Sequence, residues 1–124
     1  MAEKLIDKIN IRIPCNPEYG QLVRLAVSSI ASRMNFPFDE IEKLKQALSV
    51  VCNYFALKHQ QKSVEISMNI YPKKLIVSID HGKPEQKNSR KQLEKLITTL
   101  LINNCIDNFK VSNKIYLEKI LTRF

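Results

Sequence analysis

Val64-Glu65-Ile66-Ser67-Met68-Asn69-Ile70, then Tyr71-Pro72-Lys73-Lys74, then Leu75-Ile76-Val77-Ser78-Ile79 is the stretch that decides the fold. Val64, Ile66, Met68 and Ile70 alternate with polar residues, the period of two of a strand with one buried face. A short turn containing proline joins it to a second β-rich run, so the two read as a hairpin. Asp80-His81-Gly82-Lys83-Pro84 then stops the sheet, because glycine and proline punctuate a chain together.

Upstream, Ile9, Ile11 and Ile13 alternate with Asn10 and Arg12 and predict a first strand, closed by Pro14. Asn16-Pro17 predicts a helix cap followed by proline at the first helical position. Leu22, Leu25, Ala26, Ser29 and Ile30 share one helical stripe, which predicts a helix to about Met34 with that stripe inward. Asn35-Phe36-Pro37-Phe38 breaks it. Asp39 is the expected cap of a second helix, with Ile41, Leu44, Leu48, Val51, Cys52 and Phe55 on one face and an end near His59. Downstream, a basic stretch from Lys83 to Lys91 leads into a third helix carrying Leu93, Leu96, Ile97, Leu100 and Leu101. Residues 109–111 and 115–121 are two short strands around Ser112-Asn113.

The order β-α-α-β-β-α-β-β, without repeat or low-complexity linker, predicts a single domain over residues 1–124. Its expected class is an α/β (α+β) two-layer sandwich, with helices on one face of a mixed, mostly antiparallel sheet. A chain of 124 residues buries enough surface to fold without disulfide or metal.

Composition narrows the chemistry. There are only two glycines, Gly20 and Gly82, so neither a P-loop nor a dinucleotide fingerprint can be written. Cys15, Cys52 and Cys105 are odd in number and show no C-x-x-C spacing, which suits a reducing compartment and argues against a zinc site with His59 or His81. Met1 to Lys8 offers no signal-peptide core, and no apolar run approaches the length of a membrane span. The expectation is a cytoplasmic protein with no membrane contact. The formal charge of +8 and the cluster Lys83, Lys87, Arg90, Lys91 and Lys95 raise a nucleic-acid reading. That stretch lacks interleaved aromatics for base stacking, so a solvated, lysine-rich helix start is the favoured reading over nucleic acid, and a basic surface could instead meet an acidic protein partner.

Several stretches resemble the bacterial serine-kinase anti-sigma factors of the RsbW type, within the histidine-kinase-like (GHKL, Bergerat-fold) ATPases. They are Ile11-Arg12-Ile13-Pro14, Asn16-Pro17-Glu18-Tyr19, Val23-Arg24-Leu25, Ala31-Ser32-Arg33-Met34 and Asp39-Glu40-Ile41-Glu42, with Leu75 to Gly82 similar to the strand entering that superfamily's D-x-G motif. The resemblance covers residues 9–82 well and 96–121 loosely. It implies the histidine-kinase-like fold and an ATP site, with Asp80 on the adenine and Gly82 beside it. It also implies a glutamate base and a magnesium-holding asparagine four residues apart on the second helix. The ungapped register puts Val50 and Tyr54 at those two positions. Valine cannot accept a proton, and tyrosine is a poor oxygen ligand for magnesium. Asn53 has Ser49, not an acid, four residues before it. About ten residues separate Gly82 from the expected third helix, too few for the family's lid and second glycine box.

The family members act as homodimers, pairing partly through the first strand, and grip a sigma factor with an arginine that Arg24 matches. Arg33 is a second candidate. The expected function is therefore a regulatory protein-binding domain, a pseudokinase that binds a sigma factor or an anti-sigma antagonist and needs no cofactor. The alternative is an active ATP- and magnesium-dependent serine/threonine kinase. His59 reads as a favourable partner of a helix dipole, Cys52 as a small core residue, and His81 as no catalyst by itself.

Overall fold

The computed structural model describes residues 4–14, 16–58, 63–80, 87–112 and 114–121. Strand β1 (Asp7–Pro14) is followed by a 3-10 turn (Pro17–Tyr19) and helices α1 (Gly20–Arg33) and α2 (Phe38–Lys58). The hairpin β2 (Ser63–Ile70) and β3 (Lys74–Asp80), helix α3 (Lys87–Ile102), and the hairpin β4 (Asn108–Val111) and β5 (Lys114–Ile120) complete the order. The five-stranded sheet runs β1-β2-β3-β5-β4.

All four pairings are antiparallel, which corrects the expectation of a mixed sheet. The reason is topological. A one-helix crossover through α3 brings β4 back parallel to β3, but β5 folds between them, so no parallel pair forms.

The alternation in the strands sets two faces. Val64, Ile66, Met68, Leu75, Val77, Ile79, Ile115 and Leu117 are buried in one cluster with residues of all three helices. The opposite face carries Arg12, Glu65, Asp80 and Lys114 in one register row across β1, β2, β3 and β5. α2 buries Ile41, Leu44, Leu48, Val51 and Phe55 as its periodicity predicts.

α1 is rotated from the expected stripe, of which Ile30 is buried and Ala26 packs half-buried against the core. It buries Gly20, Val23, Val27, Ile30 and Ala31, while Leu22 and Leu25 are 53% and 57% exposed. Both stripes have helical spacing, and the smaller, β-branched one packs against α2. Asn16 caps the 3-10 turn rather than the helix, its Oδ1 accepting the Glu18 N–H at 3.1 Å. Asp39 lies inside the first turn of α2 beside Glu40, where both complement the helix dipole. α3 begins at Lys87, earlier than its apolar spacing indicates, so the segment after Gly82 is shorter still.

Helices α1 and α3 end on asparagines. Asn35 (φ 68°) and Asn104 (φ 63°) take the left-handed conformation usual for glycine. Phe36 N–H reaches the Ala31 carbonyl at 3.1 Å and Cys105 N–H the Leu100 carbonyl at 2.9 Å, closing both helix ends.

Candidate functional site

The stretch of α2 around Val50 and Tyr54 is where the family resemblance expects a base and a magnesium ligand. Tyr54 is only 6% exposed, and its ring meets that of Phe55 edge-on, with centroids 5.4 Å apart. Val50 is half-buried and packs against the core. Between Glu42 and Glu65 the chain has no acidic residue, so α2 beyond its first turns offers no carboxylate base. Near the end of α2, a cavity of about 10 Å³ is lined by Ile13, Asn16, Gly20, Cys52, Asn53, Phe55 and Ile79 among others. That is room for about one water. Among the described residues, no group of three or more His, Cys, Asp and Glu is placed to hold a metal ion.

Arg24 does not project freely from α1. Its Nη1 donates to Ser49 Oγ at 3.1 Å, and Ser49 Oγ donates in turn to the Lys45 carbonyl at 3.0 Å. Gly20 stands one turn earlier, where an added Cβ would lie 3.3 Å from Arg24 Nη1. The missing side chain thus leaves room for the guanidinium to reach α2. Arg33 is exposed at the end of α1. Nine residues at about 100° each put it on the opposite side of the helix from Arg24. The two arginines are not one patch.

Asp80 ends β3 directly after Ile79, which is fully buried on the helix side. The pleat therefore turns Asp80 to the other face, in register between Glu65 and Lys114. Glu65 is itself paired with Arg12 at 3.0 Å. Gly82, His81, Lys83 and His59 lie outside the described residues. Of the basic cluster, Arg90 is engaged by Glu94 at 3.2 Å and by the Val111 carbonyl at 2.6 Å, while Lys91 and Lys95 are exposed on α3.

A cavity of about 410 Å³ lies elsewhere. It opens between the start of α2, the turn after α3 and the end of β5, with Phe36, Pro37, Asp39, Glu40, Lys43, Asn104, Asp107, Lys119 and Ile120 around it. Lys119 is 3% exposed and pairs with Glu40, which is 32% exposed. It also donates to the Asn104 carbonyl at 3.1 Å. Sequence reading missed this lysine, although its signal was present: Ile115, Leu117, Lys119 and Leu121 share the inward parity of β5 and its end.

No helix among the described residues is long and apolar enough to cross a membrane. No protein-family model matches the chain. Three curated relatives, each called Serine-protein kinase RsbW, are similar to it. The protein of Listeria innocua serovar 6a is 39% identical over 92 residues, covering 69% of this chain and 58% of its own. That of Bacillus subtilis strain 168 is 37% identical over 82 residues, 61% of this chain and 51% of its own. That of Bacillus cereus strain B4264 is 27% identical over 136 residues, 95% of this chain and 85% of its own. The chain thus spans little more than half the length of the first two. The third alignment is longer than this whole chain of 124 residues, so that relative carries residues this chain lacks. By these likenesses the chain is a relative of the RsbW-type proteins.

Proposed function

We propose that this chain is a regulatory, protein-binding member of its family with the histidine-kinase-like ATPase fold, acting by holding a sigma factor or an anti-sigma antagonist rather than by transferring phosphate. The observation that carries this reading is the absence of any carboxylate from α2 after Glu42, together with the burial of Tyr54. Phosphoryl transfer needs a group to orient or deprotonate the nucleophile and a held metal to spread the developing charge. Val50 supplies neither, and the residues present do not fit Mg-ATP at this place. The short connection from Asp80 to Lys87 supports the same view, since a lid would have to be built there.

The relatives' name favours a second reading, an ATP-dependent serine kinase. One experiment separates the two. The chain is mixed with a candidate antagonist protein and labelled Mg-ATP, and both capture and phosphate transfer are followed. Capture without transfer is the expected outcome, and transfer at a rate above the protein-free control overturns it.

The same reading assigns a homodimer. β1 is an edge strand, paired only with β2 among the described residues, and α1 exposes Leu22 and Leu25. An uncovered edge and two outward leucines favour a second copy, which would remove both from water. Arg24, on the opposite side of α1 from Arg33, is the arginine left for a sigma-type partner.

A further inference from the structure

We propose that the 410 Å³ cavity between the start of α2 and the turn after α3 binds a free basic amino acid, a ligand with a carboxylate at one end and a cation at the other. The cavity has the volume of a small-molecule site. Its charges are of both signs: Asp39, Glu40 and Asp107 face Lys43 and Lys119, an excess of one negative charge on a chain of formal charge +8. The chain's general composition does not account for that local sign. A dibasic amino acid, with one net positive charge, complements it.

The floor is built for an oxygen acceptor. An ammonium has three N–H donors, and among the described residues two of those on Lys119 are taken, by Glu40 and by the Asn104 carbonyl. The third remains for what enters the cavity that this lysine lines, and its burial keeps water from competing well for it. The rim is built for a cation. Asp107 uses Oδ2 to accept the Ile120 N–H at 2.7 Å and keeps Oδ1 for another partner. Asp39 is exposed in the first turn of α2. Phe36, Pro37 and Ile120 give the aliphatic stem of a ligand an apolar wall. The helix dipole explains Asp39 and Glu40 without a ligand. It explains neither Asp107, which precedes β4, nor the buried lysine on β5.

The site is independent of the proposed regulatory function, and its test reads binding alone. Isotope-labelled protein is titrated with L-arginine and L-lysine by NMR, with agmatine, which lacks the carboxylate, and L-citrulline, which lacks the side-chain cation, as controls. Saturable shifts at the amides of Lys43, Asn104, Asp107 and Lys119 are expected with L-arginine, with each control at least about tenfold weaker. Lys119→Met should keep the folded spectrum and weaken L-arginine by a similar factor. Asp107→Asn keeps an oxygen for the Ile120 N–H and should weaken it too, which provides a test if the methionine variant fails to fold. The proposal is overturned by agmatine binding as well as L-arginine, by shifts scattered over acidic residues elsewhere, or by no saturation at millimolar L-arginine.

Discussion

Arg24 Nη1 donates to Ser49 Oγ at 3.1 Å, tying α1 to α2 one residue before Val50. A side chain that reads as an outward partner contact is therefore also an internal tie. To meet a carboxylate on another protein it must leave Ser49 or share its five donors.

That geometry separates the two arginines. Arg24→Glu should weaken capture of a sigma-type partner, because it reverses a charge able to pair with a carboxylate in a bidentate way. Arg33→Glu, on the other side of α1, should leave capture unchanged. Pull-downs with the two variants check this, and equal loss in both would show that the arginines act only through general charge.

Val50→Glu places the acid that the family resemblance calls for on a half-buried stretch packed against the core. It should destabilise by about 1–3 kcal/mol, the cost of leaving a polar group unsatisfied. Chemical denaturation measures that cost. Parent-like stability together with a Mg-ATP-dependent rise in melting temperature would mean that the site is open and the reading of it as filled is wrong.

Leu22→Glu with Leu25→Glu should break a dimer without harming the fold, since both side chains are more than half exposed. Light scattering should report about twice the 14.4 kDa chain mass for the parent and the single mass for the double variant. A monomeric parent removes the assigned dimer.

The Lys119–Glu40 pair should respond asymmetrically. Glu40→Ala leaves a 3% exposed ammonium without its counter-ion and should cost about 3 kcal/mol or more. Lys119→Met leaves a carboxylate that is already one-third exposed, and should cost clearly less. Thermal or denaturant melts of the two variants decide it, with equal losses counting against a net desolvation cost on the lysine side.

The sheet was legible in the sequence because its strands have one wet face, which prints a clean period of two in Val64 to Ile70 and Ile9 to Ile13. α2 was legible for a related reason: among the charged residues 39–45 only Ile41 and Leu44 are apolar, which marks the buried stripe. α1 was not. It is apolar around more than half its girth, so Leu22-Leu25-Ala26 and Val23-Val27-Ile30 compete, and only the fit against α2 chooses. Asn35 and Asn104 in glycine-like turns follow from a chain with two glycines, yet many asparagines occupy ordinary conformations. Of the site, only the identities of Val50 and Tyr54, at the positions where the resemblance expects a base and a magnesium ligand, could be read directly. The inward lysine escaped because its carboxylate comes from a different layer, far away in the chain.

β2 and β3 are joined by three residues, whereas β1 reaches β2 only after both α1 and α2. The Ser67 Oγ–H bond to Asn10 Oδ1, 2.6 Å long, closes a separation of 57 positions. Loop closure of that length makes β1 a late arrival in folding, docking on a hairpin that forms locally. The strand assigned to self-association is then also the last to be secured. Amide hydrogen exchange in β1 should consequently slow as protein concentration rises, while exchange in β3 stays constant, so that completion of the sheet and meeting a second copy become one event.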